Sequence, residues 1–339
     1  MSAGLRWGRI ARPADDPVAH GSEITPVNGD DLRMTELWQR SALELAAMIR
    51  DRSTSSREVV EAHLARIDAV NGPLNAVVRR LDDSALAAAD EADRSVERGD
   101  ELGAFHGVPI TVKENIDLVG SPTTQGIAAL AEALPTQDAP VIERMKAAGA
   151  IPLARTNLPD LGLRVHTDSS LHGLTRNPHH PERTTGGSSG GEASAIAAGM
   201  SPLGLGNDIG GSLRNPAHCC GIASIKPSVG AVPWATTVPP EDPLISTQQM
   251  AVEGPMARCV ADIRVAFQEV AGAHVRDPIS VPASFRYLGD GERLKVAVVA
   301  EPPGGATHPE VAAAVRAAAA VLVDAGHEVV DATPPLYEE

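Results

Sequence analysis

Two glycine-rich runs that carry serine are the residues of this chain best suited to chemistry. The first spans residues 186–191 and contains Ser188 and Ser189, and the second spans residues 208–214 and contains Ser212. Because glycine has no Cβ, the backbone N–H groups of such runs can point into a shared cavity and meet an anion or a developing oxyanion. A pair of flexible loops is the alternative. A phosphate-binding loop is disfavoured, because neither GxGxxG nor a terminal GK[ST] is present.

A lysine ends the short apolar run over residues 107–113, which is β-branched, flanked by glycine and predicted to form a buried strand. Lysines in this position usually extend their ammonium group to solvent. Lys113 therefore becomes a candidate base only if other residues support that role.

The surrounding patterns predict the elements that must position these residues. Capping boxes at Ser41/Glu44 and Ser55/Glu58 predict two helices, the second ending near residues 71–73. Further segments are a helix over 83–97, a helix over 139–148, a strand over 151–154, a helix over 192–200, a helix over 259–271, a strand over 294–299, a helix over 310–325 and a strand over 327–330. Alternating strands and helices predict an α/β layer architecture. Residues 156–185 and 229–249 are interpreted as loops.

Composition narrows the class of partner. The chain has 339 residues, 43% of them hydrophobic, and a formal net charge of -15. No basic excess exists to replace phosphate counterions, so nucleic acid and acidic membrane surfaces are disfavoured. No apolar run approaches the ~20 residues that span a bilayer. A small-molecule partner is the better prediction.

Cysteine and histidine usage argues against a disulfide framework and against a metal. The three cysteines form no CxxC pair, which fits a reduced, cytoplasmic setting. The histidines have no HExxH or comparable spacing, so no metal and no cofactor are predicted. The histidines considered are His106, His166, His172, His179, His180 and His218.

The N-terminal residues 1–33 hold proline, glycine and charged residues without an apolar signal segment, and they are predicted to form a flexible arm. Met34, just before the first helical pattern, is an alternative start. We expect one domain over residues 34–339, with its core at about 107–272.

Five motifs in order closely resemble the amidase signature family of serine hydrolases. They are Val-Lys-Glu-Asn at 112–115, Gly-Gly-Ser-Ser-Gly-Gly at 186–191, Asp-Ile-Gly-Gly-Ser-Leu-Arg-Asn-Pro at 208–216, Lys-Pro at 226–227 and Gly-Pro-Met-Ala-Arg at 254–258. The resemblance covers roughly residues 43–330. It implies a mixed central β-sheet covered by helices on both faces.

The resemblance implies a Ser-Ser-Lys triad. In it Ser212 is the nucleophile, Ser188 is a bridging serine on a cis peptide bond, and Lys113 is the base. The chemistry is reasonable, since a neutral buried amine can accept a serine proton directly or through a second hydroxyl. Burial lowers the pKa of a lysine by disfavouring its charged form.

Supporting roles follow from the same resemblance. The backbone N–H groups of Ile209, Gly210 and Gly211 are predicted to form an oxyanion hole, and Ser189 is a supporting residue. Asp208 and Arg214 are expected to form a structural ion pair, although an arginine there could instead hold a substrate carboxylate.

Three departures from the family pattern are expected to leave the triad untouched. They are Asn207 where threonine is usual, Thr185 where proline is common, and Ala-Ser-Ile at 223–225 where Cys-Gly-Leu or Ala-Gly-Leu is more usual.

The implied activity is hydrolysis of a carboxamide C–N bond through an acyl-enzyme on Ser212, with release of ammonia or an amine. Family members usually continue well beyond the strand near Val330, so we expect the C-terminal part of the fold to be incomplete. One alternative is a glutaminase-type subunit of a tRNA-dependent amidotransferase, and another is a catalytically impaired, truncated amidase homologue. The sequence leaves open whether the chain assembles as a homodimer.

Overall fold

The computed structural model describes residues 37–239, 245–285 and 291–332. The predicted N-terminal arm lies outside these ranges. Contacts divide the chain into two compact units, residues 1–283 and residues 284–339.

A six-stranded mixed sheet forms the centre of the first unit. In chain order its strands are β1 (Val77–Arg80), β2 (Pro109–Lys113), β3 (Ile151–Thr156), β6 (Leu203–Asp208), β7 (Ala223–Ser224) and β8 (Val252–Ala257), and their spatial order is β1-β3-β2-β6-β8-β7. The three central strands β3, β2 and β6 are parallel, while the outer pairings are antiparallel. The carboxyl ends of β2 and β6 therefore lie at the same edge of the sheet. A separate antiparallel pair joins β4 (Asp168–Ser169) to β5 (Gly173–Leu174).

Helices pack on both faces of this sheet, as predicted. The helices of this unit are α1 (Ala42–Arg50), α2 (Ser56–Leu74), α3 (Asp82–Arg98), α4 (Pro140–Ala147), α5 (Gly190–Ala197), α6 (Arg214–Cys220), α7 (Ile245–Met250) and α8 (Val260–Val270), with short 3-10 turns at Ala128–Leu130 and Asp160–Gly162. One apolar core packs α1, α4 and α8 against Ile110 and Val112 of β2. A second core packs α2, α3 and α5 against Ile151 and Leu153 of β3.

The capping boxes that predicted the first two helices are present. The Ser41 and Ser55 hydroxyls accept hydrogen bonds from the backbone N–H groups of Glu44 and Glu58. In return, the carboxylates of these glutamates accept from the backbone N–H groups of Ser41 and Ser55. The first helix therefore begins where the sequence predicts. The second continues past the predicted stop to Leu74, with Pro73 inside its last turn.

The second unit is a strand-helix-strand element, as its sequence pattern predicts. It comprises β9 (Lys295–Val298), α9 (Pro309–Asp324) and β10 (Glu328–Asp331). The two strands pair in parallel, which requires the helical crossover between them.

Candidate active site

Lys113 is the last residue of β2, and all five residues of that strand are buried. Because side chains alternate along a strand, Ile110 and Val112 point into the first apolar core, and Thr111 and Lys113 lie on the opposite face of the sheet. The Lys113 side chain is wholly buried, and its Nζ lies 2.7 Å from the Ser188 hydroxyl oxygen. The lysine therefore does not extend to solvent, and its amine directly meets a serine of the first glycine-rich run.

The first glycine-rich run leads from an extended loop into α5. The Gly187–Ser188 peptide bond is cis, as the resemblance implied. A Cβ on Gly187 would lie 2.6 Å from the carbonyl oxygen of Arg164, so glycine is required there by close backbone approach. The Ser188 hydroxyl is thereby held in a buried position beside the amine.

Ser212 lies in the turn between β6 and α6, at the carboxyl edge of the parallel strands. Its carbonyl oxygen accepts a 3.2 Å hydrogen bond from the Ser189 N–H, and the Ser189 hydroxyl donates to the Asn207 carbonyl. These two bonds join the glycine-rich runs. The Ser212 side chain is half-buried, and within the described residues its hydroxyl makes no hydrogen bond, so it is open to a reaction partner.

The three predicted oxyanion-hole donors differ in their surroundings. Ile209 and Gly210 are exposed, and within the described residues their backbone N–H groups have no hydrogen-bond partner. The Gly211 N–H donates to the Asp208 carboxylate at 2.8 Å. Ile209 and Gly210 are therefore the donors best placed to meet an oxyanion.

Asp208 and Arg214 form the expected ion pair, and it organises the turn that carries Ser212. The buried carboxylate accepts from the Arg214 guanidinium at 2.9 and 3.0 Å and from the N–H groups of Gly211 and Leu213. Burial opposes ionisation of Asp208, but these donors outweigh it and lower the pKa to about 2. Its stabilising contribution is present above pH 3.8 and lost as the pH falls through about 2.

We expect Asp208→Ala to lower the free energy of unfolding by about 2 to 4 kcal/mol, because two backbone N–H groups lose their acceptor. Urea denaturation at pH 7 measures the change. The control is Asp100→Ala, since Asp100 pairs with Arg98 on the exposed surface and contributes little. Equal losses in the two variants would contradict the structural role given to Asp208.

Electrostatics at the site favour an uncharged lysine. Burial lowers the pKa of Lys113 to about 7, although the carboxylates of Asp208, Glu192 and Glu253 oppose this shift. Burial also raises the pKa of Glu192 to about 7 and raises that of Glu253 well above its ordinary value. A buried amine whose neutral form makes up a large fraction near pH 7 is a competent proton acceptor.

The site includes two asparagines, Asn115 and Asn207, for which the sequence predicted no role there. The Asn207 amide oxygen accepts from Lys113 Nζ at 2.6 Å, and the Asn207 amide nitrogen donates to Asn115 Oδ1 at 2.8 Å. The expectation that the departure at Asn207 leaves the triad untouched is therefore wrong. Its side chain faces the same side of the sheet as Lys113, a placement that becomes visible only once β6 is recognised as a strand.

Glu192 is a further buried residue of the site that sequence reasoning missed. It extends from α5 and accepts hydrogen bonds from the hydroxyls of Thr111 on β2 and Thr156 on β3, the latter at 2.6 Å. It thereby fixes the helix that follows Ser188 to the strand that carries Lys113.

The loop over residues 159–166 lies against the site and presents apolar side chains. A Cβ on Gly162 would lie 3.4 Å from the Ser188 hydroxyl oxygen. On either side of this glycine, Leu161, Leu163 and Val165 are exposed, with Leu163 77% exposed. The loop that approaches Ser188 through Gly162 therefore carries three exposed apolar side chains.

The described residues also bear on membrane insertion and metal binding. None of the helices in that part of the chain is long and apolar enough to cross a membrane. Across the same residues, no group of three or more histidine, cysteine, aspartate or glutamate side chains could hold a metal ion.

Comparison with known proteins places the chain in a family. The family model described as Amidase matches residues 58–339. The chain is 46% identical over 300 residues to an indoleacetamide hydrolase of Bradyrhizobium diazoefficiens, covering 88% of this chain and 57% of that protein. It is 36% identical over 308 residues to an acylamidase of Rhodococcus erythropolis, covering 89% of this chain and 63% of that protein.

A solved structure agrees with these matches. The structure of a 6-aminohexanoate cyclic dimer hydrolase complexed with substrate superposes with a TM-score of 0.76 at 34% identity, covering 88% of this chain and 61% of that one. The chain belongs to the amidase signature family. It spans between 57% and 63% of the length of these relatives.

Proposed function

We propose that this protein is an amidase that hydrolyses a carboxamide C–N bond through an acyl-enzyme on Ser212. The observation that carries the proposal is the buried contact of 2.7 Å between Lys113 Nζ and Ser188 Oγ, beside the turn that holds Ser212. The family match and the hydrolases among the relatives support the same reaction class.

In the first half of the reaction, Ser212 Oγ attacks the substrate carbonyl carbon. The Ser212 proton passes to Ser188 Oγ, and the Ser188 proton passes to the neutral Lys113 amine, which becomes an ammonium. The carbonyl oxygen gains a negative charge, which the N–H groups of Ile209 and Gly210 stabilise. Loss of one such donor typically costs about 3 kcal/mol of transition-state stabilisation.

In the second half, the C–N bond breaks and the leaving nitrogen takes a proton back from Lys113 through Ser188. Ammonia or an amine departs, and an ester to Ser212 remains. Water then attacks this ester and its proton passes through Ser188 to Lys113. The bond to Ser212 breaks, Ser212 Oγ takes the proton back, and the carboxylic acid leaves. Lys113 serves as base and acid in turn, which a pKa of about 7 suits at neutral pH.

The substrate class we propose is an amide with an apolar acyl group. The exposed Leu161, Leu163 and Val165, on the loop whose Gly162 approaches Ser188, offer apolar contact area together with the exposed Ile209. The 46% identical relative is named as a hydrolase of indoleacetamide, an amide of this kind. These side chains offer little to an amide bearing free charges, such as glutamine.

A panel of amides tests the proposal. Indole-3-acetamide, hexanamide, acetanilide and glutamine are supplied at equal concentration, and the release of ammonia or aniline is measured. We expect release from at least one apolar amide at a rate well above that from glutamine. Release from glutamine alone would favour the glutaminase-type alternative, and release from none would favour the catalytically impaired homologue.

The pH dependence of the reaction follows from the state of Lys113. Its pKa of about 7 means that the neutral, basic form gains population as the pH rises through that value. We expect kcat/KM to rise about tenfold per pH unit below pH 7 and to level off above it. A rate that keeps rising towards pH 10 would show that the lysine keeps its ordinary pKa and would contradict this account.

A further inference from the structure

The hydrogen bonds of Lys113 define a second partner besides Ser188. Nζ lies 2.7 Å from Ser188 Oγ and 2.6 Å from Asn207 Oδ1. Asn207 in turn donates its amide N–H to Asn115 Oδ1 at 2.8 Å. The amide is therefore held at both ends, and its oxygen rather than its nitrogen faces the lysine.

This arrangement matters because of what a neutral amine can offer. Such an amine has two N–H donors and one lone pair, and the lone pair must point at Ser188 for a proton to arrive there. An amide oxygen only accepts, so Asn207 engages one N–H and cannot compete for the lone pair. With one N–H fixed, rotation about the last bond of Lys113 is restricted and the lone pair can be aimed at Ser188.

The charged groups near Lys113 do not perform this task. Asp208 is engaged by Arg214, and Glu192 is engaged by Thr111 and Thr156. Glu253 is buried on β8 directly opposite Asn207 in the strand register, and burial raises its pKa well above its ordinary value, which disfavours its charged form. Among the described residues, the Lys113 amine makes side-chain hydrogen bonds with Ser188 and Asn207, and of these two Asn207 is the one whose oxygen can only accept.

On the assumption that the proposed function holds, we propose that Asn207 is a positioning residue that aims the lone pair of Lys113 at Ser188. Asn115 acts one step further out by fixing which end of the Asn207 amide faces the lysine. The contact also leaves the lysine without a charged hydrogen-bond partner, which keeps the neutral form accessible near pH 7.

The test uses a fluorophosphonate probe, whose reaction needs no knowledge of the natural substrate. The Ser212 oxygen bonds to phosphorus, fluoride leaves, and the serine proton passes through Ser188 to Lys113. Labelling rates of the full chain are measured between pH 6 and pH 10 for the parent, Asn207→Leu and Asn207→Asp. Leucine removes the acceptor at similar volume, and aspartate replaces it with a charged one.

We expect Asn207→Leu to slow labelling about 10- to 100-fold on the pH plateau. We expect Asn207→Asp to move the rising limb of the pH profile upward by about one pH unit or more, because a carboxylate stabilises the ammonium form. Labelling by the aspartate variant then recovers at high pH, which a merely structural defect would not produce.

Asn71→Ala is the control. The Asn71 amide also makes hydrogen bonds, to the backbone of Ala76 and Val77, but it lies away from Lys113. The rising limb of the pH profile of labelling in Asn71→Ala should therefore match that of the parent. A parent-like rate and limb in both Asn207 variants would overturn the positioning role. If Lys113→Met also labels at the parent rate, the proposed function itself fails, whereas a slow Lys113→Met beside parent-like Asn207 variants refutes only this inference.

Discussion

Ser212→Ala is expected to reduce kcat/KM for amide hydrolysis by about 10⁴-fold or more. The hydroxyl is the nucleophile of the proposed reaction, and enzymes that lose their nucleophile keep only the catalysis supplied by binding and the oxyanion hole. The substitution removes one oxygen from a half-buried side chain that makes no hydrogen bond within the described residues, so the fold should be unaffected. Ammonia release from the best amide of the panel measures the effect.

Ser201→Ala is a matched control for this variant. Ser201 is buried just before β6 and donates to the Leu203 carbonyl, away from the proposed triad. It should cost some stability and little activity. A Ser212→Ala protein that kept more than about a hundredth of the parent rate would rule out Ser212 as the nucleophile, because such residual activity far exceeds what remains when a nucleophile is lost.

Lys113→Met is expected to lower kcat by about 10³-fold and to leave KM nearly unchanged. General acid–base catalysis typically contributes 10²- to 10⁴-fold, and the lysine acts in both halves of the proposed reaction. Methionine fits the buried position without leaving a charge there. The variant should also lose the rise of activity through pH 7, since the titrating amine is gone.

Lys146→Met serves as the comparison. Lys146 lies on α4, is partly exposed and pairs with Asp138, so it should keep the parent rate and pH profile. A Lys113→Met protein that retained the rising limb near pH 7 would show that another group supplies the base.

Much of the frame around the site could be predicted from the sequence, because local physics determines it. The capping boxes at Ser41 and Ser55 fix two helix starts, and the β-branched residues before Lys113 favour the buried strand that is observed. The close approach of Gly187 to its neighbours explains why glycines are required in the first run. The serine and lysine positions could be proposed because the motifs around them occur in one order.

Strands β6 and β8 were not predicted, and the reason is their composition. β6 reads LGLGND, and its glycines resemble a loop until the packing is known. A Cβ on Gly204 would collide with the Glu192 carboxylate, so the glycine makes room for a buried acid rather than for a turn. β8 contains Gly254 and Pro255, which likewise weaken a strand pattern.

The missed strands explain the missed site residues. Asn207 lies on β6 and Glu253 on β8, opposite each other in the strand register. Without that pairing, neither residue can be placed beside Lys113. The helix α6 was missed for a related reason: it begins directly after the Ser212 turn, where Asp208 holds Gly211 and Leu213 through hydrogen bonds that no local pattern reveals.

The central claim is that Ser212 is a nucleophile activated by Lys113, and covalent labelling tests it most directly. The parent, Ser212→Ala and Lys113→Met proteins are treated with a fluorophosphonate at pH 8, and the modified residue is identified by mass spectrometry of the peptides. We predict one adduct on Ser212 in the parent, none in Ser212→Ala, and adduct formation slowed about 10³-fold in Lys113→Met. An adduct on another residue, or amide hydrolysis by a protein that never labels at Ser212, would contradict the account.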